Sequence, residues 1–355
     1  MAPAGKTAIA TWFVADKVGE ETHFPQMEGV SSSALFQINY WRCIVCFFDS
    51  SLRKNADADH VLFTNAHIPV VDGVDLASLF QSWKVQVIQL PISHRLPRQS
   101  IKEWGNQFYI LDIIKYVAAK KIWNKLIVLD CDCIWRKSAD SMLDAIDRHG
   151  CLTYTLSDRD YAWDASINGA TRQEMALALQ KWTADCGIHA DSGIRDVPFI
   201  HYHGGEIFAA TQTICCELAD LIDSLWKWRV GIGSSVGGVM EEAHFLSILY
   251  ALCSYPNFTA NAFLKRIWTT FHLNNANETD LGLMIWHLPA EKRRGFRRMF
   301  HKLIKADRGV WTSQSSSEYD KMLADVFGIP RRSATKFIRD FSLKLLDEAR
   351  RRISF

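Results

Sequence analysis

The stretch from Asn106 to Trp135, NQFYILDIIKYVAAKKIWNKLIVLDCDCIW, decides the fold class of this chain. Its first part, Asn106 to Ala119, has apolar residues at helical spacing. Its second part, Lys125 to Leu129, is a short, nearly continuous apolar run, which is typical of a parallel strand buried on both faces. A helix followed by such a strand predicts one unit of an α/β sheet.

Short β-rich runs alternate with helical patterns over the first two-thirds of the chain, which supports an α/β fold with a sheet flanked by helices. The predicted strands are Thr7 to Ala15, His60 to Thr64, Val85 to Leu90, Lys125 to Leu129, Leu152 to Leu156, Phe199 to Ala209 and Leu283 to Leu288. The predicted helices are Asn106 to Ala119, Glu241 to Cys253, Glu291 to Arg308 and Ser333 to Arg352.

The composition places the chain among ordinary globular proteins and excludes overall disorder, collagen and a coiled coil. Of its 355 residues, 48% are hydrophobic and 23% are charged. The net charge of +2 is unevenly divided, because residues 291–355 hold 17 basic and 8 acidic side chains, a net +9, and residues 1–290 carry −7. We therefore expect a large α/β domain at 1–290 and a basic helical region at 291–355.

The start of the basic region predicts an amphipathic helix. Between Glu291 and Arg308, apolar residues at Phe296, Phe300, Leu303 and Ile304 share one face, and basic residues cover the rest. Residues 291–308 could be a solvated surface or could attach to an anionic membrane surface. Nucleic-acid binding is not expected, since no recognised module is present.

The cysteines and the N-terminus predict a cytoplasmic protein with reduced thiols. The nine cysteines are odd in number in a long chain, which argues against a disulfide framework. Cys43 and Cys46 form a CxxC among apolar neighbours, with no second pair to complete a zinc site, and are expected to be buried thiols. No secretory signal and no apolar run of membrane-spanning length are visible.

Asp130 and Asp132 are the most specific chemical signal in the sequence. Two other Asp-x-Asp pairs, at 57–59 and 158–160, lie in polar stretches, whereas this pair directly follows an apolar strand. Open α/β sheets bind ligands beyond the carboxyl ends of their strands, and carboxylates suit hard divalent cations. The pair could hold Mn²⁺ or Mg²⁺ against a diphosphate, and the alternative is a turn or helix-capping role for Asp132.

The segment from Asn106 to Trp135 resembles the helix, strand and DxD motif of glycosyltransferases with the GT-A fold, a Rossmann-like mixed sheet flanked by helices. The closer resemblance is to family 8, which includes glycogenin and lipopolysaccharide galactosyltransferases. Four more segments, one before this stretch and three after it, occur in that family's order: FVADK from Phe13, HYHGGEIF from His201, MEEAHFLSILY from Met240 and WHLPAEKRRGF from Trp286.

The resemblance implies a transferase that moves a sugar from a nucleotide-diphosphate sugar, with UDP expected, to a glycan, lipid-linked or protein acceptor. It favours retention of configuration over inversion. The implied metal ligands are Asp130, Asp132 and His287; the implied donor contacts are Trp12, Phe13, Asp16, Gln107, Cys131 and Lys292; the implied substrate contacts are His203, Gly204, Gly205 and Glu206; and the implied catalytic residues are Glu241 and Glu242.

Some features depart from the family pattern. The family's arginine before the metal motif has no clear match, with Gln107 and Lys115 as the nearest polar candidates. Pro289 and Ala290 replace its late glycine, and His203 replaces an asparagine.

Every implied site residue also has a structural interpretation. Glu241 and Glu242 could be first-turn helix charges, His287 and His203 could be packed core histidines, and the aromatic residues could be core. A sugar nucleotidylyltransferase is a second hypothesis, but the stretch after the first strand, Asp16 to Glu21, is acidic rather than glycine-rich and basic. A non-catalytic scaffold that binds nucleotide-sugar or membrane is the third.

Overall fold

The computed structural model describes residues 6–24, 27, 29–96, 105–156, 166–188, 197–232, 237–255, 259–270, 273–306 and 316–342. The strands are β1 (Thr7–Phe13), β2 (Asp59–Thr64), β3 (Val70–Val71), β4 (Val74–Asp75), β5 (Gln86–Gln89), β6 (Lys125–Leu129), β7 (Cys133–Trp135), β8 (Cys151–Leu152), β9 (Ile207–Thr211), β10 (Leu264–Arg266) and β11 (Ile285–His287). The helices are α1 (Ala34–Lys54), α2 (Leu76–Ser82), α3 (Tyr109–Lys120), α4 (Asp140–His149), α5 (Arg172–Cys186), α6 (Gln212–Ile232), α7 (Glu242–Leu252), α8 (Gly295–Ala306), α9 (Ser316–Phe327) and α10 (334–342).

The fold is α/β, and its central sheet has six strands in the order β5-β2-β1-β6-β9-β8, flanked by helices. The sheet is mixed, with both parallel and antiparallel pairs. The strands β5, β2, β1 and β6 are parallel, so their carboxyl ends meet at one edge. The strand β9 runs antiparallel to β6, with Leu129 opposite Ile207. The N-terminal end of β9 therefore lies at that same edge. There the Asp130 amide donates a hydrogen bond to the Glu206 carbonyl at 3.1 Å.

A second, three-stranded sheet, β10-β11-β7, lies directly beyond that edge. The strand β7 begins directly after Asp132 and pairs antiparallel with β11, which sets Cys133 opposite His287. The Leu288 amide also donates to the Asp132 carbonyl at 3.0 Å. This pairing brings together residues more than 150 positions apart in the chain.

Most predicted elements form, with shifted ends. The strand Lys125–Leu129 is as predicted and is buried, and α3 begins at Tyr109 rather than Asn106. The predicted strand Phe199 to Ala209 is shorter, because only Ile207–Thr211 is a strand and its earlier part makes a single bridge from His203 to Thr155. A turn at Gly205 and Glu206 separates the two parts.

The apolar face of the basic tail is buried within the molecule. Phe296, Met299, Phe300 and Leu303 of α8 are at most 3% exposed and belong to the same hydrophobic core as the sheet. This face packs against α1 and α9. The apolar stripe that the sequence offers for membrane attachment is therefore occupied, and only the polar face of α8 remains accessible. The predicted helix end at Arg308 and the part of the last helix beyond 342 lie outside the described residues.

Candidate metal and donor site

Asp130, Asp132 and His287 form a compact group of oxygen and nitrogen atoms that could hold a metal ion. One ligand atom from each lies within 4.8 Å of the others. The His287 Nε2 atom is 3.3 Å from Asp132 Oδ2 and 3.6 Å from Asp130 Oδ2. The sequence fixes the two aspartates at the end of β6, and the β7–β11 pairing supplies the histidine.

Two carboxylates and one imidazole form a set of ligands that suits a divalent cation such as Mn²⁺ or Mg²⁺. The side chain of Asp132 is only 1% exposed, and its Oδ1 atom has no hydrogen-bond partner among the described residues. Buried carboxylate oxygens are normally satisfied, so an orphaned one facing two other ligand groups fits a cation. Asp130 is more open, with 26% of its side chain exposed, and leaves that side accessible to a ligand.

Positive groups around the aspartates set their ionisation. Burial raises the pKa of Asp132, but Lys292 and His287 outweigh it and hold that pKa below its usual value. Burial, reinforced by the Asp132 charge, raises the pKa of Asp130 to about 6. The Lys292 ammonium forms a short ion pair with Asp132 Oδ2. Asp132 is therefore the more firmly ionised of the pair.

Glu206 lies beside His287, on the Nδ1 side of its ring. It is 1% exposed, and its Oε1 atom is 3.7 Å from His287 Nδ1 and 2.5 Å from Arg266 Nε. Burial raises the pKa of Glu206, but Arg266 and His287 outweigh it and lower that pKa to about 2. The 3.7 Å separation from His287 Nδ1 is longer than a hydrogen bond, so we expect Glu206 to orient a metal-binding His287 through its charge.

Glu241 and Glu242 are buried, which separates them from ordinary first-turn charges. Glu241 precedes α7, and its carboxylate accepts from Tyr202 Oη at 2.7 Å and from Asn168 Nδ2 at 2.9 Å. Burial raises the pKa of Glu241 to about 7, against those two hydrogen bonds. Burial and the neighbouring Glu241 raise the pKa of Glu242 well above its usual value. Glu241 is thus poised to exchange a proton near neutral pH, and Glu242 keeps its proton to a higher pH than an exposed glutamate does.

Gly204 and Gly205 leave room for carboxylates. A Cβ atom at Gly204 would collide with the Glu206 carboxylate, and one at Gly205 would collide with the Glu242 carboxylate. The predicted glycine motif therefore acts through close approach of side chains to backbone. Its effect on substrate would pass through Glu206 and Glu242.

Two adjoining clefts contain most of the predicted residues. The first is aromatic, and its lining is Trp12, Phe13, Val14, Phe24, Phe36, Tyr40, Asn106, Gln107, Asp130, Cys131, Asp132 and Lys292. The second is polar, with a volume of about 290 Å³, and its lining is Gln107, Asp130, Asn168, Tyr202, Gly205, Glu206, Glu241, Glu242, Arg266, Trp268, His287, Pro289 and Lys292. Gln107, Asp130 and Lys292 line both, so the cation site lies where the clefts meet.

Three predicted residues do not line either cleft. Asp16 is buried, and its carboxylate accepts from the Thr22 amide at 3.0 Å and Ser31 Oγ at 2.7 Å, with Arg95 at 3.0 Å. His203 packs edge-on against Tyr250, and burial lowers its pKa to about 3. Gly204 is buried beneath Glu206. The donor and substrate contacts expected of these three residues therefore stay predictions.

Sequence reasoning missed several residues that line the polar cleft. Arg266 pairs across the small sheet with His287, and Trp268, Tyr202 and Asn168 complete that wall. Arg266 and Trp268 belong to a short segment without a strong pattern, and their placement depends on β10 pairing with β11. For Tyr202 alone a signal existed, because it lies within the HYHGGEIF segment.

No family model and no curated protein matches this chain. Among solved structures, an active-site mutant of LgtC is similar at 11% identity and a TM-score of 0.39, over 79% of this chain and 86% of that one. Mouse xyloside xylosyltransferase 1, in its apo form, is similar at 11% identity and a TM-score of 0.39, over 79% of this chain and 97% of that one. Both TM-scores are below 0.5.

Proposed function

We propose that this protein is a metal-dependent glycosyltransferase with a GT-A-like fold, related to family 8, that uses a nucleotide-diphosphate sugar. The observation that supports this best is the Asp130, Asp132 and His287 cluster at the junction of an aromatic cleft and a carboxylate-lined cleft. A nucleotide-diphosphate sugar has a planar aromatic base at one end, two anionic phosphates in the middle and a polar sugar at the other end. The three parts of this site match those three chemistries in order.

The aromatic cleft would take the nucleotide. Trp12, Phe13 and Tyr40 offer ring faces and edges there, and Gln107 and Cys131 lie toward the metal cluster. Aromatic side chains bind a base by stacking without requiring one particular base. UDP is therefore an expectation from the resemblance to family 8.

The metal cluster would take the diphosphate. Asp130, Asp132 and His287 would hold Mn²⁺ or Mg²⁺, which when bound neutralises a diphosphate leaving group as a Lewis acid. Lys292 would add a positive charge to the same phosphates, in a buried setting where charge interactions are strong. For this the Lys292 ammonium exchanges part of its pairing with Asp132 for a phosphate oxygen.

The carboxylate-lined cleft would take the sugar and the acceptor. An ionised Glu241 or Glu242 would stabilise or attack the reacting carbon in a retaining reaction, which the family resemblance favours, or accept the acceptor proton in an inverting one. The acceptor would be a glycan, a lipid-linked sugar or a protein hydroxyl.

Turnover assays test the proposal directly. The protein is incubated with a panel of nucleotide-sugars and Mn²⁺, and nucleotide diphosphate release is followed with Asp132→Asn as the inactive variant and Asp325→Asn, an exposed aspartate, as the matched control. We expect slow release that Asp132→Asn abolishes and Asp325→Asn does not change. Pyrophosphate formation from a nucleoside triphosphate and a sugar phosphate would instead identify a nucleotidylyltransferase, and cation-independent binding without turnover would identify a scaffold.

We also propose that the enzyme works in the cytoplasm, with any membrane contact made by charge alone. None of the described helices is both long enough and apolar enough to cross a bilayer. Arg297 and Lys302 lie on the exposed side of α8, while its apolar side is buried. Flotation with liposomes should show binding only with anionic lipid and at low salt, and equal partitioning to neutral and anionic vesicles would contradict this attachment.

A further inference from the structure

A buried ion cluster joins the C-terminal helix α10 to the segment that carries Lys292. The Lys336 ammonium is 2.8 Å from Glu291 Oε1 and 2.6 Å from Asp340 Oδ2. The side chains are 1%, 4% and 7% exposed for Lys336, Glu291 and Asp340. Burying three charges costs several kcal/mol of desolvation per ion, so a well-packed apolar set could serve stability equally well. Such a cluster is better explained by the need to fix particular groups in place.

Glu291 connects this cluster to two chain segments that line the polar cleft. It directly precedes Lys292, in the short turn Pro289–Glu291 that follows β11. Its Oε1 atom also accepts a hydrogen bond of 2.5 Å from Thr269 Oγ1. Thr269 follows Trp268, which lines the polar cleft as Lys292 does. One carboxylate therefore holds the two chain segments that carry Lys292 and Trp268.

Arg332 makes a second link from the same C-terminal segment. Its guanidinium donates to the Thr269 carbonyl at 2.9 Å and also to the Thr270 carbonyl. The loop that carries Trp268 is thus hydrogen-bonded both to Arg332, through its carbonyls, and to Glu291, through the Thr269 hydroxyl. Neither Arg332 nor Lys336 lines a cleft, so both act at a distance from the ligand.

Glycines make the space that this arrangement needs. A Cβ atom at Gly328 would lie 2.7 Å from Lys336 Cδ, and the φ of +73° there also favours glycine. A Cβ atom at Gly295 would lie 2.8 Å from the Phe327 ring and would also collide with the Glu291 carboxylate. The start of α8 and the end of α9 are therefore shaped around these charged side chains.

We propose that Lys336 is a positioning residue that, through Glu291, sets Lys292 and Trp268 for binding the diphosphate and sugar of the donor. The inference rests on the proposed function, because it assigns the C-terminal region a role in the same site. The region after 316 is then part of the donor-binding apparatus, in addition to any surface role of its basic charge.

Binding measurements separate this role from a general effect on folding. Isothermal titration gives the affinity of the full chain for Mn²⁺ alone and for UDP with saturating Mn²⁺, for wild type, Lys336→Met and Lys321→Met. Lys321 is exposed on α9 and serves as the matched control. We expect Lys336→Met to weaken UDP at least tenfold while the Mn²⁺ affinity stays within twofold, and Lys321→Met to change neither.

A second variant keeps the test decisive if Lys336→Met does not fold. Arg332→Gln alters the other link from a partly exposed position, and we expect it to weaken UDP severalfold with unchanged Mn²⁺ affinity. Wild-type UDP affinity in a folded Lys336→Met protein, or in Arg332→Gln if Lys336→Met does not fold, would overturn the inference, and so would equal losses for UDP and Mn²⁺. If the wild-type protein itself binds no nucleotide diphosphate with Mn²⁺, the proposed function fails first.

Discussion

At the scale of single residues, Glu206 lies beside His287 and also lines the polar cleft. The resemblance places it among substrate contacts, yet its carboxylate is enclosed between Arg266 and the Nδ1 side of His287. We expect Glu206→Gln to weaken Mn²⁺ binding about 10- to 100-fold, because a histidine ligand that loses its orienting carboxylate binds metal less well. Titration calorimetry with Mn²⁺ measures this, with the exposed Glu278→Gln as control. Unchanged Mn²⁺ affinity in a folded Glu206→Gln protein would contradict the assignment.

Glu241 predicts a pH dependence of turnover. Its carboxyl has a pKa of about 7, and the proposed reaction needs it ionised, so nucleotide release should rise with pH through 7 and level off above it. The Asn168 amide donates to this carboxylate and lowers its pKa. Asn168→Ala should therefore move the inflection to higher pH, which pH–rate profiles of the two proteins measure. An inflection at the same pH in both would argue against Glu241 as the titrating group.

At the scale of elements, α8 is part of the body of the protein. Phe300 is fully buried in the core, on the face that packs against α1 and α9. We expect Phe300→Ala to lower the free energy of unfolding by about 3–5 kcal/mol, the usual cost of removing a buried aromatic side chain. Urea denaturation followed by circular dichroism measures it, and Phe337→Ala, at a side chain 45% exposed, should cost less than about 1 kcal/mol. If the Phe300→Ala protein had the wild-type free energy of unfolding, the basic region would be an independent appendage.

At the scale of the whole molecule, buried neutral histidines predict acid sensitivity. Burial lowers the pKa of His60 to about 4, although Ser51 and Ala58 hydrogen-bond its ring. The unfolded chain, with a histidine pKa near 6.5, then binds the proton first, so stability is full above that pH and falls as the pH drops from about 6.5 toward 4.

The size of the effect follows from the two pKa values. At pH 5 His60 should account for a loss of about 2 kcal/mol relative to pH 7.5, from about 1.4 kcal/mol per pH unit. Urea unfolding at both values should show a smaller loss in His60→Gln than in wild type. Equal losses in the two proteins would rule out His60 as a source of the acid sensitivity.

The α/β class and the position of the paired aspartates follow from local sequence patterns alone. The buried strand Lys125–Leu129 forms as its apolar run predicts, and Asp130 directly follows it. Local patterning sufficed there because a central strand must be apolar on both faces, and its end must then turn toward solvent. The amphipathic pattern of α8 was also visible, but a pattern does not say whether the apolar face meets a membrane or the protein's own core.

The set of distant groups that share the site depends on how the chain folds. Arg266 enters it through a short strand paired with the strand of His287, and Lys336 acts on Lys292 through a chain of buried contacts. Such placements depend on strand pairing and side-chain packing between segments far apart in the chain, and no local period records them. The same packing placed Glu206 beside His287 and enclosed the carboxylate of Asp16 among internal donors.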